Sequence, residues 1–292
     1  MTAQPQHGLP LVPGAAGKGF TYFIRRHPVP AYYALTFVIS WGLMAAVIGV
    51  APAPMAVALS LGPLGPAAAS IILTSFLDGK AGLRELVARL RRWRVGARWY
   101  ALALLTAPLV MASTAVAVAV VFPGFYGGVS TAAELVIVVL AGIAVGLIVG
   151  MLEELGWTGF ALPRLRRRHG VVSTALIMAV LWGAWHYPMF ANSTDPSGAI
   201  PNALIVAVFL FGWLPAYRVL MVWLYDRTGC LPLAMLMHAP LSAGAFINSF
   251  MAASGNASGI AILVPSLSWG AAFWVVAAVV LLTEHRHQRE TT

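Results

Sequence analysis

Residues 139–168 have the sequence VLAGIAVGLIVGMLEELGWTGFALPRLRRR, and this stretch decides the fold class. It opens with an apolar run typical of a membrane-spanning helix, carries two adjacent glutamates, and ends in a basic cluster that starts at Arg164. Similar apolar runs of about 20 residues recur along the chain, which favours transmembrane helices over a β-barrel. We therefore predict an all-α, polytopic membrane helix bundle.

The composition supports the same class. Of the 292 residues, 60% are hydrophobic and 9% are charged, whereas an ordinary soluble domain has about 45–50% apolar and about 25% charged residues. The mean hydropathy is +0.84. These values exclude a soluble enzyme, a disordered chain and a fibrous protein. The single cysteine, Cys230, excludes an intramolecular disulfide and a multi-cysteine metal site.

About eight transmembrane helices with both termini in the cytoplasm are predicted. All 18 lysines and arginines fall in the tails or in alternate loops, with Arg218 and Arg227 assigned to the end of the sixth span, and the positive-inside rule makes these segments cytoplasmic. We expect a flexible tail at 1–30, one transmembrane domain at 31–283 and a second tail at 284–292, in the plasma membrane. The predicted spans are 31–51, 55–77, 99–122, 132–160, 171–191, 202–224, 231–252 and 261–283.

The basic loop between the second and third spans is expected to lie on the cytoplasmic membrane surface. Apolar residues recur at helical spacing through residues 80–98 with arginines between them, which predicts an amphipathic helix; an ordinary solvated loop is the alternative. Although the pI is about 10.3, the basic residues flank membrane spans. We therefore expect anionic lipid headgroups, and no nucleic acid, as their partners.

Four ionisable residues are predicted inside the bilayer: Glu153, Glu154, His186 and His238. A charge at the bilayer centre costs about 2.5–3.5 kcal/mol on insertion scales, so such residues indicate function. Arg164 lies about 15 Å beyond Glu154 along a helix, which favours a buried pair. The alternative is that both glutamates end the helix at the headgroups. Upstream of the pair, a stripe of glycines every four residues predicts close packing with another helix; it comprises Gly142, Gly146 and Gly150.

Two imidazoles and two carboxylates suit either of two chemistries. Adjacent glutamates repel, so one can act as a base and the other as an acid. Together with the histidines they also suit a zinc site with two His ligands and one carboxylate. His238 lies about 10 Å from the start of its span, and His186 roughly 20 Å or more from the start of its own. The two meet only if the fourth helix projects past the membrane surface or the helices tilt strongly.

Three motifs within about 150–242 carry a family resemblance. They are Glu153-Glu154-Leu155-Gly156-Trp157-Thr158-Gly159-Phe160, Trp182 with His186 four residues later, and the stretch from Tyr225-Asp226-Arg227-Thr228-Gly229 to His238. In this order they resemble the CPBP family, the CAAX-protease and bacteriocin-processing membrane proteins, which includes type II CAAX prenyl endopeptidases and abortive-infection-like proteins. The family has an eight-helix core, in agreement with the span count.

The resemblance implies an intramembrane endopeptidase, of a family called metalloproteases. By this resemblance, Glu153 activates water, His186 and His238 bind a metal or stabilise the oxyanion, and Glu154 holds or tunes the site. The metal would be Zn²⁺ held by Glu153, His186 and His238; a mechanism with the glutamate alone is the alternative. The implied substrate is a membrane protein or a lipidated peptide, with prenylated CAAX peptides as the family's example. Trp157 and Trp182 are expected to support the site.

Two departures from the family pattern keep other functions open. Thr158 replaces the family's Arg and cannot supply a positive charge, and Ser242 replaces the Asn often found four residues after the last His. A non-catalytic membrane scaffold or immunity-type protein is therefore one alternative. A proton-coupled transporter is another, because buried Glu and His also form proton relays.

Reporter fusions test the predicted topology. Because all lysines and arginines were assigned to one side, fusions after residues 52, 127, 197 and 257 should report an external location, and those after 90, 168, 228 and 288 a cytoplasmic one. A cytoplasmic signal at 127 or 197 would refute the eight-span arrangement.

Overall fold

The computed structural model describes residues 15–50, 60–127, 129, 131–190, 201–253 and 259–290. Within these ranges the chain is helical apart from short connections and contains no strand. The helices are α1 (Ala15–Arg26), α2 (Pro28–Val50), α3 (Leu64–Leu90), α4 (Ala97–Val121), α5 (Ala132–Gly156), a π-helical turn (Trp157–Ala161), α6 (Leu162–Arg166), α7 (Val171–Trp185), α8 (Tyr187–Phe190), α9 (Asn202–Phe211), α10 (Leu214–Thr228), α11 (Leu231–Ala253) and α12 (Gly259–Glu290).

The all-α membrane class is confirmed, and the protein is an integral, multi-pass membrane protein. The count of eight spans is not confirmed: six helical stretches of the described part are long and apolar enough to cross a bilayer. The predicted fifth span shortens to α7, whose 15 residues extend about 22 Å, against about 30 Å of hydrocarbon. The predicted second span falls on α3, but its first residues, 55–59, lie outside the described part. The six stretches are Pro28–Gly49, Ala97–Val121, Ala132–Arg166, Asn202–Thr228, Leu231–Ala252 and Leu263–Arg286.

Helix α3 changes direction at Gly79, where the backbone has a φ of 61°. Glycine tolerates this left-handed φ at no steric cost, so the chain leaves helical geometry at this residue and resumes it in a new direction. The segment after the bend is the predicted amphipathic helix, and it ends at Leu90 rather than continuing to residue 98. Its buried Leu86 packs against Leu231 and Met235 at the start of α11. The amphipathic segment is thereby attached to the helix that carries His238.

The glycine stripe of α5 is a helix-packing surface, as the sequence indicated. A Cβ atom at Gly146 would lie 2.2 Å from the carbonyl oxygen of Ala239, and one at Gly150 would lie 2.6 Å from that of Met235. The backbones of α5 and α11 therefore approach more closely than any side chain would allow. His238 lies in α11 between Met235 and Ala239, the two residues that these glycines approach. The close contact therefore holds His238 near the glutamates at the end of α5.

One continuous helical stretch carries the glutamate pair. Helix α5, the π-helical turn and α6 together cover Ala132–Arg166, which is 35 residues. At about 1.5 Å per residue this is about 52 Å, well beyond the hydrocarbon thickness of about 30 Å. The stretch must project from the bilayer or tilt strongly, and this is the condition under which His186 and His238 were expected to meet. The π-helical turn follows the glutamates directly, a frequent arrangement at functional sites.

Two ion pairs join the basic, C-terminal end of this stretch to its neighbours. Arg164 lies 2.5 Å from the carboxylate of Asp78 in α3, and Arg166 lies 2.5 Å from that of Asp226 in α10. All four side chains are partly exposed, so each pair contributes little to stability. Of the predicted tails, residues 15–26 form a helix and α12 continues to Glu290, whereas 1–14 and 291–292 lie outside the described residues.

Gly146→Leu tests the α5–α11 contact. The added side chain would collide with the Ala239 carbonyl, and overpacking of this kind costs about 1–3 kcal/mol or more. We expect a lower melting temperature in detergent and reduced accumulation in membranes. Gly42→Leu in α2 is the matched control, because a Cβ atom there meets nothing within 4 Å. Equal melting temperatures of the two variants would contradict the packing described.

Candidate active site

The two glutamates at the end of α5 each accept a hydrogen bond from a residue one turn later. The Trp157 indole donates to Glu153 Oε2 at 3.0 Å, and the Thr158 hydroxyl donates to Glu154 Oε2. Residues four apart share a helix face, so the local sequence already places these partners. Both glutamates are buried, with 2% and 0% exposure respectively. Their carboxylates are therefore oriented by the same helical segment that carries them.

Trp182 of α7 lies between the predicted site residues. Its indole nitrogen donates to Glu153 Oε2 at 2.8 Å, the second indole hydrogen bond to that oxygen. The His238 ring meets the Trp182 ring edge-on with centroids 5.1 Å apart, and the His186 ring does so at 5.5 Å. Both histidines are thus brought to one indole, together with the first glutamate.

His238 is oriented by Glu154. The His238 Nδ1 lies 2.8 Å from Glu154 Oε1, and an ionised carboxylate only accepts hydrogen bonds, so Nδ1 carries the proton there. The opposite ring nitrogen, Nε2, then faces Glu153, with Oε2 at 3.8 Å. This N···O distance is too long for a hydrogen bond, although the two groups are close neighbours. One glutamate holds the imidazole and the other lies before its second nitrogen.

His186 ends α7 and is the most accessible of the four residues. Its Nδ1 lies 2.8 Å from the carbonyl oxygen of Trp182. A carbonyl only accepts, so Nδ1 donates and Nε2 of the neutral ring is left as an acceptor. The ring packs edge-on against Trp185 and Phe209. His186 is half-buried, whereas Glu153, Glu154 and His238 are buried.

Arg218 is a fifth ionisable residue of the site, and its assignment to the end of a span was wrong. It lies inside α10 with 0% exposure, and its Nη1 donates to Glu154 Oε1 at 3.0 Å and to Oε2 at 3.2 Å. Its guanidinium also lies over the face of Trp182, 4.2 Å from the ring centre. The sequence carried a signal for this residue. Arg218 interrupts the apolar stretch 203–224, and a charged residue inside a membrane span is costly and therefore indicates function, as for the two glutamates.

The other two supporting positions differ in what they contact. Thr158 lacks the family's positive charge but still binds Glu154 through its hydroxyl. Ser242, one turn after His238, is half-buried, and within the described part of the chain its hydroxyl makes no hydrogen bond. Thr158 therefore keeps a contact with Glu154 without supplying the family's charge, while the second departure has no structural counterpart among the described residues.

The predicted three-ligand zinc site has no preformed counterpart among the described residues. Among the described residues, no group of three or more His, Cys, Asp or Glu side chains is arranged to hold a metal ion. Glu153 Oε2 accepts from two indole N–H groups, and Nδ1 of each histidine is engaged, so only Glu153 Oε1 and the two Nε2 atoms could serve as ligands. The nearby guanidinium of Arg218 also disfavours a second cation. The zinc site accordingly stays a prediction of the sequence.

Comparisons with known proteins agree with the family resemblance. Residues 135–243 match the family model described as type II CAAX prenyl endopeptidase Rce1-like. A relative named CAAX prenyl protease 2, from Methanococcus maripaludis, is 33% identical over 49 residues. That alignment covers 16% of this chain and 18% of the relative, so the chain spans less than a fifth of the relative's length in this match. The resemblance to type II CAAX prenyl endopeptidases is confirmed, and both matches name proteases.

Metal content tests the zinc prediction independently of activity. Because the described residues include no group of three arranged to hold a metal ion, and because Arg218 places a permanent positive charge beside Glu154, we expect protein that is equilibrated with Zn²⁺ and then desalted to retain far less than one zinc ion per chain. Elemental analysis of the wild type, His186→Ala and His238→Ala variants should give the same low value. A stoichiometry near one that falls in both variants would instead establish the zinc site.

Proposed function

We propose that this chain, in which residues 135–243 match the type II CAAX prenyl endopeptidase model, is an intramembrane endopeptidase. It hydrolyses a peptide bond in a membrane protein or a lipidated peptide, with prenylated CAAX peptides as the first candidates. The observation that carries the proposal is the buried carboxylate of Glu153, fixed by two indoles and lying beside His238. The proposed location is the plasma membrane.

Glu153 is the proposed general base. The two indole N–H groups bind the same oxygen, Oε2, which leaves the other carboxylate oxygen to accept a proton from water. The water oxygen bonds to the peptide carbonyl carbon, and its proton passes to Glu153. When the carbon–nitrogen bond breaks, Glu153 returns this proton to the leaving amine. The carboxylate thus ends the cycle as it began, and no metal is needed for the proton transfers.

The histidines are the proposed stabilisers of the oxyanion. His238 is oriented by Glu154, and His186 is anchored through Trp182. Each ring therefore has Nδ1 fixed by the protein and Nε2 available to the substrate, and Nε2 donates to the oxyanion when the ring carries its second proton. Groups preorganised in this way stabilise developing negative charge without rearranging during the reaction.

A groove at the cytoplasmic end offers a route for such a substrate. Its volume is about 610 Å³, and it lies between the start of α2, the end of α6 and α7. Arg167 and Arg168 contribute positive charge to its lining, and Leu181 and Tyr33 contribute apolar surface. The Tyr33 ring stacks on the Trp157 ring, with 5.4 Å between centroids, and Trp157 in turn binds Glu153. Trp157 therefore links this wall of the groove to Glu153. We propose that a lipid-modified chain enters here and that anionic headgroups meet the arginines.

Cleavage of a farnesylated CAAX peptide by the purified protein in liposomes tests the proposal. Glu153→Gln keeps the shape of the side chain but cannot act as a base, and loss of a general base lowers the rate by about 10²–10⁴-fold. We expect His186→Ala and His238→Ala to be severely impaired as well, with all variants still inserted in the membrane.

Glu134→Gln is the matched control, because Glu134 starts the same helix at an exposed capping position that glutamine also fills. Its cleavage rate should equal that of the wild type. Equal rates in Glu153→Gln and the wild type would refute the proposed mechanism. Substrate-dependent flux in place of cleavage would establish a transporter, and a cellular phenotype that survives Glu153→Gln would establish a scaffold.

A further inference from the structure

Arg218 is a buried charge that the proposed chemistry does not itself use. Its side chain has 0% exposure and lies in α10, a helix distinct from those that carry the glutamates and histidines. Arginine does not lose its proton in proteins, so the positive charge persists in the interior and requires a specific partner. Glu154 is that partner, and it is equally buried.

The contacts of Glu154 explain what the guanidinium does there. Each carboxylate oxygen accepts from Arg218 Nη1 and from one further donor: Oε1 from His238, and Oε2 from Thr158. The carboxylate is therefore held from three sides and cannot rotate away from the imidazole. Without the arginine, each oxygen of this buried carboxylate would lose a donor, and Oε1 would no longer be held against His238.

A purely structural role explains the arrangement less well. Arg218 Nε and Nη2 are buried and, within the described part, have no hydrogen-bond partner. An arginine selected for stability would have these groups satisfied, because each unpaired buried N–H is costly. The guanidinium carbon instead lies over the face of Trp182, the indole that binds Glu153, 4.2 Å from the ring centre. Arg218 thus contacts Glu154 directly and also contacts Trp182, which binds Glu153.

We propose that Arg218 is a positioning residue that orients His238 through Glu154 and supplies, from another helix, the positive charge that Thr158 does not. This inference rests on the proposed endopeptidase function. It assigns the compensation to a residue separated from Glu154 by 64 positions in the chain. On this proposal, activity requires a positive charge next to Glu154, and either helix can carry the residue that supplies it.

Moving the charge between the two helices tests this role. Arg218→Gln should lower kcat by about 100-fold, the cost of a misplaced catalytic group, and change KM less than about threefold because the substrate groove is untouched. Arg218→Lys keeps the charge but not the reach to both oxygens, and should lose about tenfold. Thr158→Arg combined with Arg218→Gln should recover at least about tenfold over Arg218→Gln, since a guanidinium again lies within one helical turn of Glu154.

Arg166→Gln is the control for loss of an arginine, because Arg166 pairs with Asp226 at the cytoplasmic surface, away from the site. It should cleave at the wild-type rate. The proposal is overturned if Arg218→Gln retains cleavage within threefold of the wild type, or if the Thr158→Arg/Arg218→Gln variant cleaves no better than Arg218→Gln.

A thermal-unfolding cycle separates this inference from the proposed function. If the wild type cleaves no peptide, the endopeptidase proposal fails, and the coupling of the two side chains is measured instead. Arg218→Gln and Glu154→Gln should each lower the melting temperature, and the double variant should lower it by less than their sum. Additive losses would overturn the assignment of Arg218 to Glu154.

Discussion

Two adjacent carboxylates lie in an apolar helix bundle, and the surrounding structure supplies the groups that hold them. Water cannot solvate Glu153 and Glu154 at 2% and 0% exposure, so protein donors must replace it. Glu153 receives two indole N–H groups, while Glu154 receives a hydroxyl, a guanidinium and an imidazole. These donors come from four different helical segments. The need to satisfy two buried charges therefore joins the segments around one point.

The unequal surroundings of the carboxylates divide the work between them. Glu154 is in contact with a permanent cation and serves to hold His238, whereas Glu153 has neutral donors on one oxygen and lies before the second nitrogen of that ring. Neighbouring residues of one helix point in directions about 100° apart, so each faces a different helix. Adjacent glutamates thereby acquire separate environments, the condition for one to act as a base while the other stays in place.

Close helix packing makes this geometry possible. Gly146 lets the backbones of α5 and α11 approach to a distance that a single Cβ atom would prevent. A longer separation would move His238 away from both carboxylates, although no residue of the site would change. The glycines have no chemical role, but the site depends on them as much as on its polar residues.

The sequence by itself determined the membrane class, the glutamate pair and the two histidines, because insertion cost makes buried ionisable residues visible in an apolar run. The partners Trp157 and Thr158 also follow from local spacing, since residues four apart share a helix face. Tertiary structure alone decided that Trp182 joins both histidines to Glu153, and that Arg218 pairs with Glu154. Both contacts connect helices far apart in the chain, and their distances depend on tilt, packing and helix projection, which no local pattern encodes. The zinc site stays a prediction for the same reason: the sequence supplies the residue types, but only packing assigns each donor atom its partner.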